Sequence, residues 1–211
     1  MAYGQETSNI HFWGDEYSVR ANVIRVASVP TFRQNMETSW AAETSFFNKS
    51  ENSQQETSVA LKDGMNTLMY HGNFSLLFLP QVGFVNNGKA EFRIYTSIGL
   101  DIGSYVPSHV DSDYPERVGL TTGFGPEVGL GFVVNLESVS LYGYGTIAQG
   151  AIEAADFYNY NSSSLNTGIR IGDVLNIRYT LGESRWANKG HKKANFSRFT
   201  VGILLDSLNR N

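Results

Sequence analysis

Residues able to do chemistry crowd most densely into 108–113, SHVDSD, where Ser108, His109, Asp111 and Asp113 stand side by side. A hydroxyl, an imidazole and a carboxylate are the parts of a nucleophilic relay, the kind a lipid acyltransferase or deacylase would use. A working relay normally draws its members from several elements, however, and a Ser/Asp-rich stretch is also what an exposed loop looks like. No catalytic residue is therefore assigned. Asp111 and Asp113 could hold calcium loosely, but the following residues lack the glycine turn of an EF-hand loop. The four histidines, His11, His71, His109 and His191, show no metal-binding spacing, so no metal site is assigned either. With no cysteine in the chain, disulfides, thiolate catalysis and cysteine-held metals are excluded.

The glycine-rich stretch 118–136, VGLTTGFGPEVGLGFVVNL, raises the question of a phosphate cradle. It lacks the Lys-Ser/Thr ending of such a loop, and it keeps a period of two that a loop has no reason to keep. Val118, Leu120, Phe124, Val128, Leu130, Phe132 and Val134 fall on one parity. The glycines and the single charge, Glu127, fall on the other. Successive side chains of a strand point to opposite faces, so this reads as a strand with two unlike surroundings, and no cofactor is implied.

The elements around it repeat the pattern. Residues 74–104 read as a hairpin with Phe74, Leu76, Phe78, Pro80, Val82 and Phe84 on one face, a turn at Asn86-Asn87-Gly88, and a return strand. That return strand sets Phe92, Ile94, Ile98, Leu100 and Ile102 against Glu91, Arg93, Tyr95, Ser97, Gly99, Asp101 and Gly103. Short turns are expected at Asn135-Leu136-Glu137 and Gly172-Asp173, and long polar loops at 105–116, 155–166 and 183–194. In the N-terminal third, strands are expected near 17–29, 36–47 and 57–71, which puts the polar stretch 48–56 on the short-turn side. Residues 146–156 carry the one helix-like pattern, weakened by Gly150. The total comes to ten strands, with eight the nearest alternative.

Composition narrows the class. Charged residues are 17% of the 211, below the roughly 25% usual in soluble domains, while hydrophobic residues are 41%. A net charge of -4 argues against nucleic acid as a partner. No apolar run is long enough for a membrane helix, but that test is blind to strands that cross as alternating segments. At the N-terminus, Ala2-Tyr3-Gly4 suits a signal-peptidase site, so 1–4 is read as the remainder of an export signal and 5–211 as one barrel domain.

A soluble barrel and a membrane barrel share one alternation with opposite polarity. A water-facing exterior is normally rich in Lys and Glu. Here the polar face is mostly Gly, Ser, Thr, Tyr and Asn, which suits a narrow interior, and aromatics such as Phe84, Tyr105, Phe132, Phe157, Tyr158 and Phe199 fall near strand ends. Six charges are expected to line that interior: Glu91, Arg93, Asp101, Glu127, Arg178 and Arg198. The arginines would face the carboxylates, either setting the selectivity of a pore or plugging it. NKGHKK at 188–193 is read as a solvated loop before a headgroup-binding patch.

TTGFGPEVGLGFVVNLESVSLYGYG and FSRFTVGILLD resemble hairpins of small bacterial outer-membrane barrels, including the pore-forming major outer-membrane type. The resemblance, over about 57–206, implies a closed antiparallel up-and-down barrel in the bacterial outer membrane. Its partners would be lipids, and small solutes or ions. Two features depart from the type: the chain ends LLDSLNRN without a terminal aromatic, and Pro80 and Pro126 fall mid-strand, where each implies a bulge or a strand end. The resulting expectation is a non-enzymatic, porin-like or structural barrel with long external loops. The alternatives are a soluble secreted or periplasmic barrel or sandwich holding a small apolar ligand, and, third, a lipid-modifying barrel enzyme.

Overall fold

The computed structural model describes residues 1–12, 15–28, 30, 34–52, 69–105, 121–152, 156–186 and 192–203, and strand is the only regular structure among them. The ten strands are β1 (Ala2–Phe12), β2 (Asp15–Ala27), β3 (Met36–Asn52), β4 (Met69–Asn86), β5 (Glu91–Tyr105), β6 (Thr121–Asn135), β7 (Val139–Ile152), β8 (Asp156–Ile171), β9 (Leu175–Trp186) and β10 (Lys192–Ile203). Each pairs antiparallel with its sequence neighbours, and β1 pairs with β10, so the ring closes without an edge. Closure lets every ladder hydrogen bond be made within the protein, the condition under which β-structure can stand in lipid.

The polarity of the wall decides which solvent surrounds it. On β6, Phe124, Val128, Leu130 and Phe132 are 40%, 47%, 60% and 50% exposed, while Glu127 between them is 6% exposed. Phe78, Ile98, Ile147, Leu165 and Val201 likewise point outward, whereas Glu6, Arg93, Asp101, Arg178 and Arg198 are buried in the lumen. An apolar exterior around a charged interior is the arrangement of an outer-membrane barrel, and the reverse of a soluble one.

The start of β1, the end of β10 and several tight turns share one rim. These turns include the Asn87–Ala90 turn, with Gly88 at φ 83°, the 136–138 turn, and the 172–174 turn, with Gly172 at φ 54°. The strand ends that flank 53–68, 106–120 and 187–191 in the sequence lie at the opposite rim. β3 and β4, of 17 and 18 residues, exceed the roughly 9–11 that a tilted strand needs to cross a bilayer. Toward the long-connection rim the outward residues become polar, as Gln5, Thr7, Asn9, Gln149, Ser163 and Arg185 show by their exposure. The barrel therefore projects beyond its apolar band on that side.

Several sequence expectations change. β1 was not expected, and residues 2–4, set apart as an export remainder, pair within it on both sides. Residues 57–68 of the strand expected at 57–71 lie outside the described residues, and 69–71 begin β4. β4 takes in 69–71 together with the strand expected from 74, so β3, which continues to Asn52, passes directly to it and the connection between them falls on the long rim. The loop expected at 155–166 is mostly β8, and the helix-like 146–156 falls largely in β7, whose ladders on both sides override its local pattern. Pro80 stands just before a register shift between Gln81 and Gly83. That bulge flips the parity, so Phe84 is opposite Arg93 and its ring covers the guanidinium at 4.5 Å, instead of sharing the face of Phe78. Pro126 causes no shift: the β6–β7 register is the same at Phe124↔Ala151 and Glu127↔Ala148.

Candidate functional site

The interior is built in tiers. Nearest the short-turn rim, Leu77, Leu79, Tyr95, Val133 and Tyr142 form an inward apolar cluster with Tyr144 against it. The two buried phenols keep a polar partner: Tyr95 donates to the Gln34 carbonyl at 3.0 Å and Tyr142 to Asn176 Oδ1 at 2.9 Å. Beside this tier, Arg93 donates to Gln81 at 2.7 Å and pairs with Glu91 at 3.1 Å.

Above it an ion cluster crosses the lumen. Register creates its pairs, since Glu6 lies directly opposite Arg198 across β1–β10 and Arg25 opposite Glu43 across β2–β3. Cross-strand partners on one face are near enough to bond directly. Arg198 bonds Glu6 at 2.7 Å and also reaches Glu43, which is bonded by Arg25 and lies 3.5 Å from Arg178 on β9. Asn166 on β8 and Thr180 accept from Arg178, while the hydroxyls of Ser8 and Ser45 each donate to Glu6 at 2.8 Å. One glutamate, Glu43, thus gathers three guanidiniums from three strands.

The cluster divides what space the lumen has. A cavity of about 40 Å³ lies on the apolar side and one of about 50 Å³ on the polar side, and Arg25, Leu77, Tyr144 and Arg178 border both. Since a water needs roughly 10–15 Å³ of such volume, each holds about three or four waters.

The upper cavity has Arg25, Arg178 and Arg198 in its wall together with carboxylates, hydroxyls and amides. Asp101 on β5 accepts from Asn73 Nδ2 at 2.6 Å and from the Tyr160 hydroxyl at 2.5 Å. Tyr160 can enter because Gly103 and Gly123 leave its ring room; a Cβ at either would overlap it. Glu127 is buried, and its Oε2 has no hydrogen-bond partner among the described residues. Thr146, Ser162 and Ser164 complete that part of the wall.

Of the six charges singled out in the sequence, Arg93, Asp101, Glu127, Arg178 and Arg198 are buried in the lumen and Glu91 is half-buried at its short-turn rim. The pairing differs from expectation. Arg178 and Arg198 turn to Glu43 and Glu6, not to Asp101 or Glu127. Glu6, Arg25 and Glu43 were missed, although Ala21, Val23, Arg25 and Ala41, Glu43, Ser45 keep an inward parity that could have revealed them. Ser108, His109, Asp111, Asp113 and His191 lie outside the described residues. Of 188–193, Lys193 is placed on β10, 2.9 Å from Glu183 on the outer wall.

No family model and no curated protein matches the chain. Among solved structures it is similar to the outer membrane protease OmpT from Escherichia coli, at 11% identity and a TM-score of 0.44, over 96% of this chain and 92% of that one. Pseudomonas putida OprB, in its low-pH structure, aligns at 8% identity and a TM-score of 0.24, over 94% and 90% of the two chains. The Pseudomonas putida toluene transporter TodX aligns at 8% identity and 0.18, over 95% and 87%. No residue role passes between chains this different. The outer-membrane-type architecture rests on the closed ring and its inverted polarity.

Proposed function

We propose that this chain is a non-enzymatic barrel of the bacterial outer membrane whose lumen is closed, serving as an anchored wall that carries its long connections outside. The observation that carries the reading is the ion cluster centred on Glu43, which joins β2, β3, β9 and β10 at mid-lumen and leaves water-sized space on either side. An open porin of this strand number would need its inward side chains to stand clear of one another, whereas barrels this narrow are filled by them. Lipids are the surrounding partners, and net negative charge leaves nucleic acid without a docking face. Outward orientation of the long connections follows the habit of such barrels, whose short turns face the periplasm.

Planar-bilayer recording tests this. The purified full chain is expected to insert without steady porin-sized conductance, and the double variant Glu43→Ala/Arg198→Ala to conduct. A stable open level in the unaltered protein would overturn the closed-lumen reading.

A further inference from the structure

Most glycines of this wall have no room for a side chain. At Gly99, Gly125 and Gly150 a Cβ would run into the backbone of the next strand. Gly145 of β7 is different. It shares the outward parity of Leu141 and Ile147, and a Cβ there would meet nothing nearer than the Ser164 carbonyl oxygen at 3.7 Å. The ladders on both sides of it run from 143 to 147 without a register shift, so no bulge requires it. A glycine inside a strand weakens it, and one that no bulge or bend requires marks a place where another molecule comes close.

Register shows what surrounds the gap. Gly145 lies opposite Leu130 on β6 and Leu165 on β8, and Leu165 lies opposite Leu181 on β9. The missing side chain thus interrupts an exposed apolar row, and the Phe132 ring over Gly143 closes the gap toward the short-turn rim. One step toward the long-connection rim, Ile147 is followed across the strands by Ser163 and Glu183. One step further the row reads Gln149, Asn161, Arg185 and Lys193. The result is a cleft of about 760 Å³ that runs into a second of about 700 Å³, the two sharing Val128, Ile147, Ser163 and Glu183.

We propose that this cleft binds one anionic lipid, its acyl chain laid over Gly145 and its phosphate at Arg185 and Lys193. The apolar exterior already puts this face in the bilayer, so the molecule that reaches Gly145 is a lipid. Glu183 is shared by Arg185 and by Lys193, the latter at 2.9 Å, which leaves one positive charge in excess on this patch among the described residues. Phosphate oxygens accept strong hydrogen bonds from such donors. Among lipids apolar contact favours no chain over another, so the shape at Gly145 and the charge above it make the selection. The site does not depend on whether the lumen conducts.

Native mass spectrometry of the full-length barrel in detergent micelles, titrated with dipalmitoyl phosphatidylglycerol, tests it. One lipid per chain is expected to bind. A unit charge at a lipid headgroup is worth about 5-fold, so dipalmitoyl phosphatidylcholine should bind about 5-fold more weakly, and Lys193→Gln should weaken phosphatidylglycerol by about as much. Gly145→Leu fills the gap and is expected to cost about 10-fold or more. Folding is read from the migration of unheated samples on a gel, and Leu165→Trp, which overhangs the same gap, replaces a Gly145→Leu protein that fails it. Equal affinity for the two lipids, unchanged binding in the folded gap-filling variant, or displacement of the lipid by glycerol phosphate at equal concentration would overturn the proposal.

Discussion

Replacing Glu43 by glutamine keeps the side chain's shape and removes its charge, leaving Arg25, Arg178 and Arg198 around a neutral amide. The Arg178–Glu43 contact alone, at 3.5 Å, is worth roughly 5 kcal/mol of gross attraction at an effective dielectric of 20. Desolvation offsets much of that in the intact cluster, so the cluster as a whole adds little net stability. Breaking it is another matter, because the guanidiniums stay buried while Glu6 alone opposes them, and loss of one partner from a buried pair costs about 3–5 kcal/mol. Glutamine still accepts one hydrogen bond, which places the expected loss near the lower end, about 3 kcal/mol. Reversible urea unfolding in phospholipid vesicles, followed by tryptophan fluorescence, measures it against Glu91→Gln as control. Glu91 is one-third exposed at the rim, and its change should cost under about 1 kcal/mol. Equal unfolding midpoints for the two variants would refute the claim that the cluster is desolvated.

Three other changes probe separate parts of the account. Leu130→Arg puts a charge on the outward face and is expected to cost about 2–4 kcal/mol near the bilayer midplane in the same unfolding assay. Gly123→Val drives a side chain into the Tyr160 ring, with an expected loss of about 1–3 kcal/mol from overpacking, visible as earlier heat-induced loss of the fast-migrating gel form. Deleting Val82 removes the extra residue at the bulge, which would return Phe84 to the lipid face and uncover Arg93; a fluorescent probe at residue 84 should move from an aqueous to an apolar environment.

What could be read from the chain alone depended on contrast between the two faces of the wall. β5 and β6 were legible because Ile98, Leu100, Leu130 and Phe132 meet lipid while Ser97, Asp101, Gly129 and Glu127 meet the lumen. Where the wall rises beyond the apolar band, both faces are polar and the period of two vanishes. Gln5, Thr7 and Asn9 stand outside β1 with Glu6 and Ser8 inside, and Ser163 stands outside β8 with Asn166 inside, so these strands read as loop. The same physics hid part of the ion cluster. Arg178 and Arg198 announce themselves as charges on glycine- and threonine-rich parity. Glu6, on a strand polar on both faces, is tied to Arg198 only by register, whereas Glu43 and Arg25 keep a readable inward parity and their pairing appears once register sets them opposite. Phe84 shows the converse limit: its parity was read correctly up to Pro80, and one bulged residue then reversed it.

The central claim, that lipid meets the apolar parity of this wall, has a direct measurement. The chain contains no cysteine, so single cysteines placed in turn at 124 and 127–132 can each carry a nitroxide label without background. In vesicles, collision rates with oxygen and with a water-soluble nickel chelate report lipid and water at each site. The account predicts an oxygen signal alternating with a period of two, high at 124, 128, 130 and 132 and low at 127, 129 and 131. Nickel collisions should be low at all of them. A flat profile, or oxygen maxima at the odd positions, would contradict it.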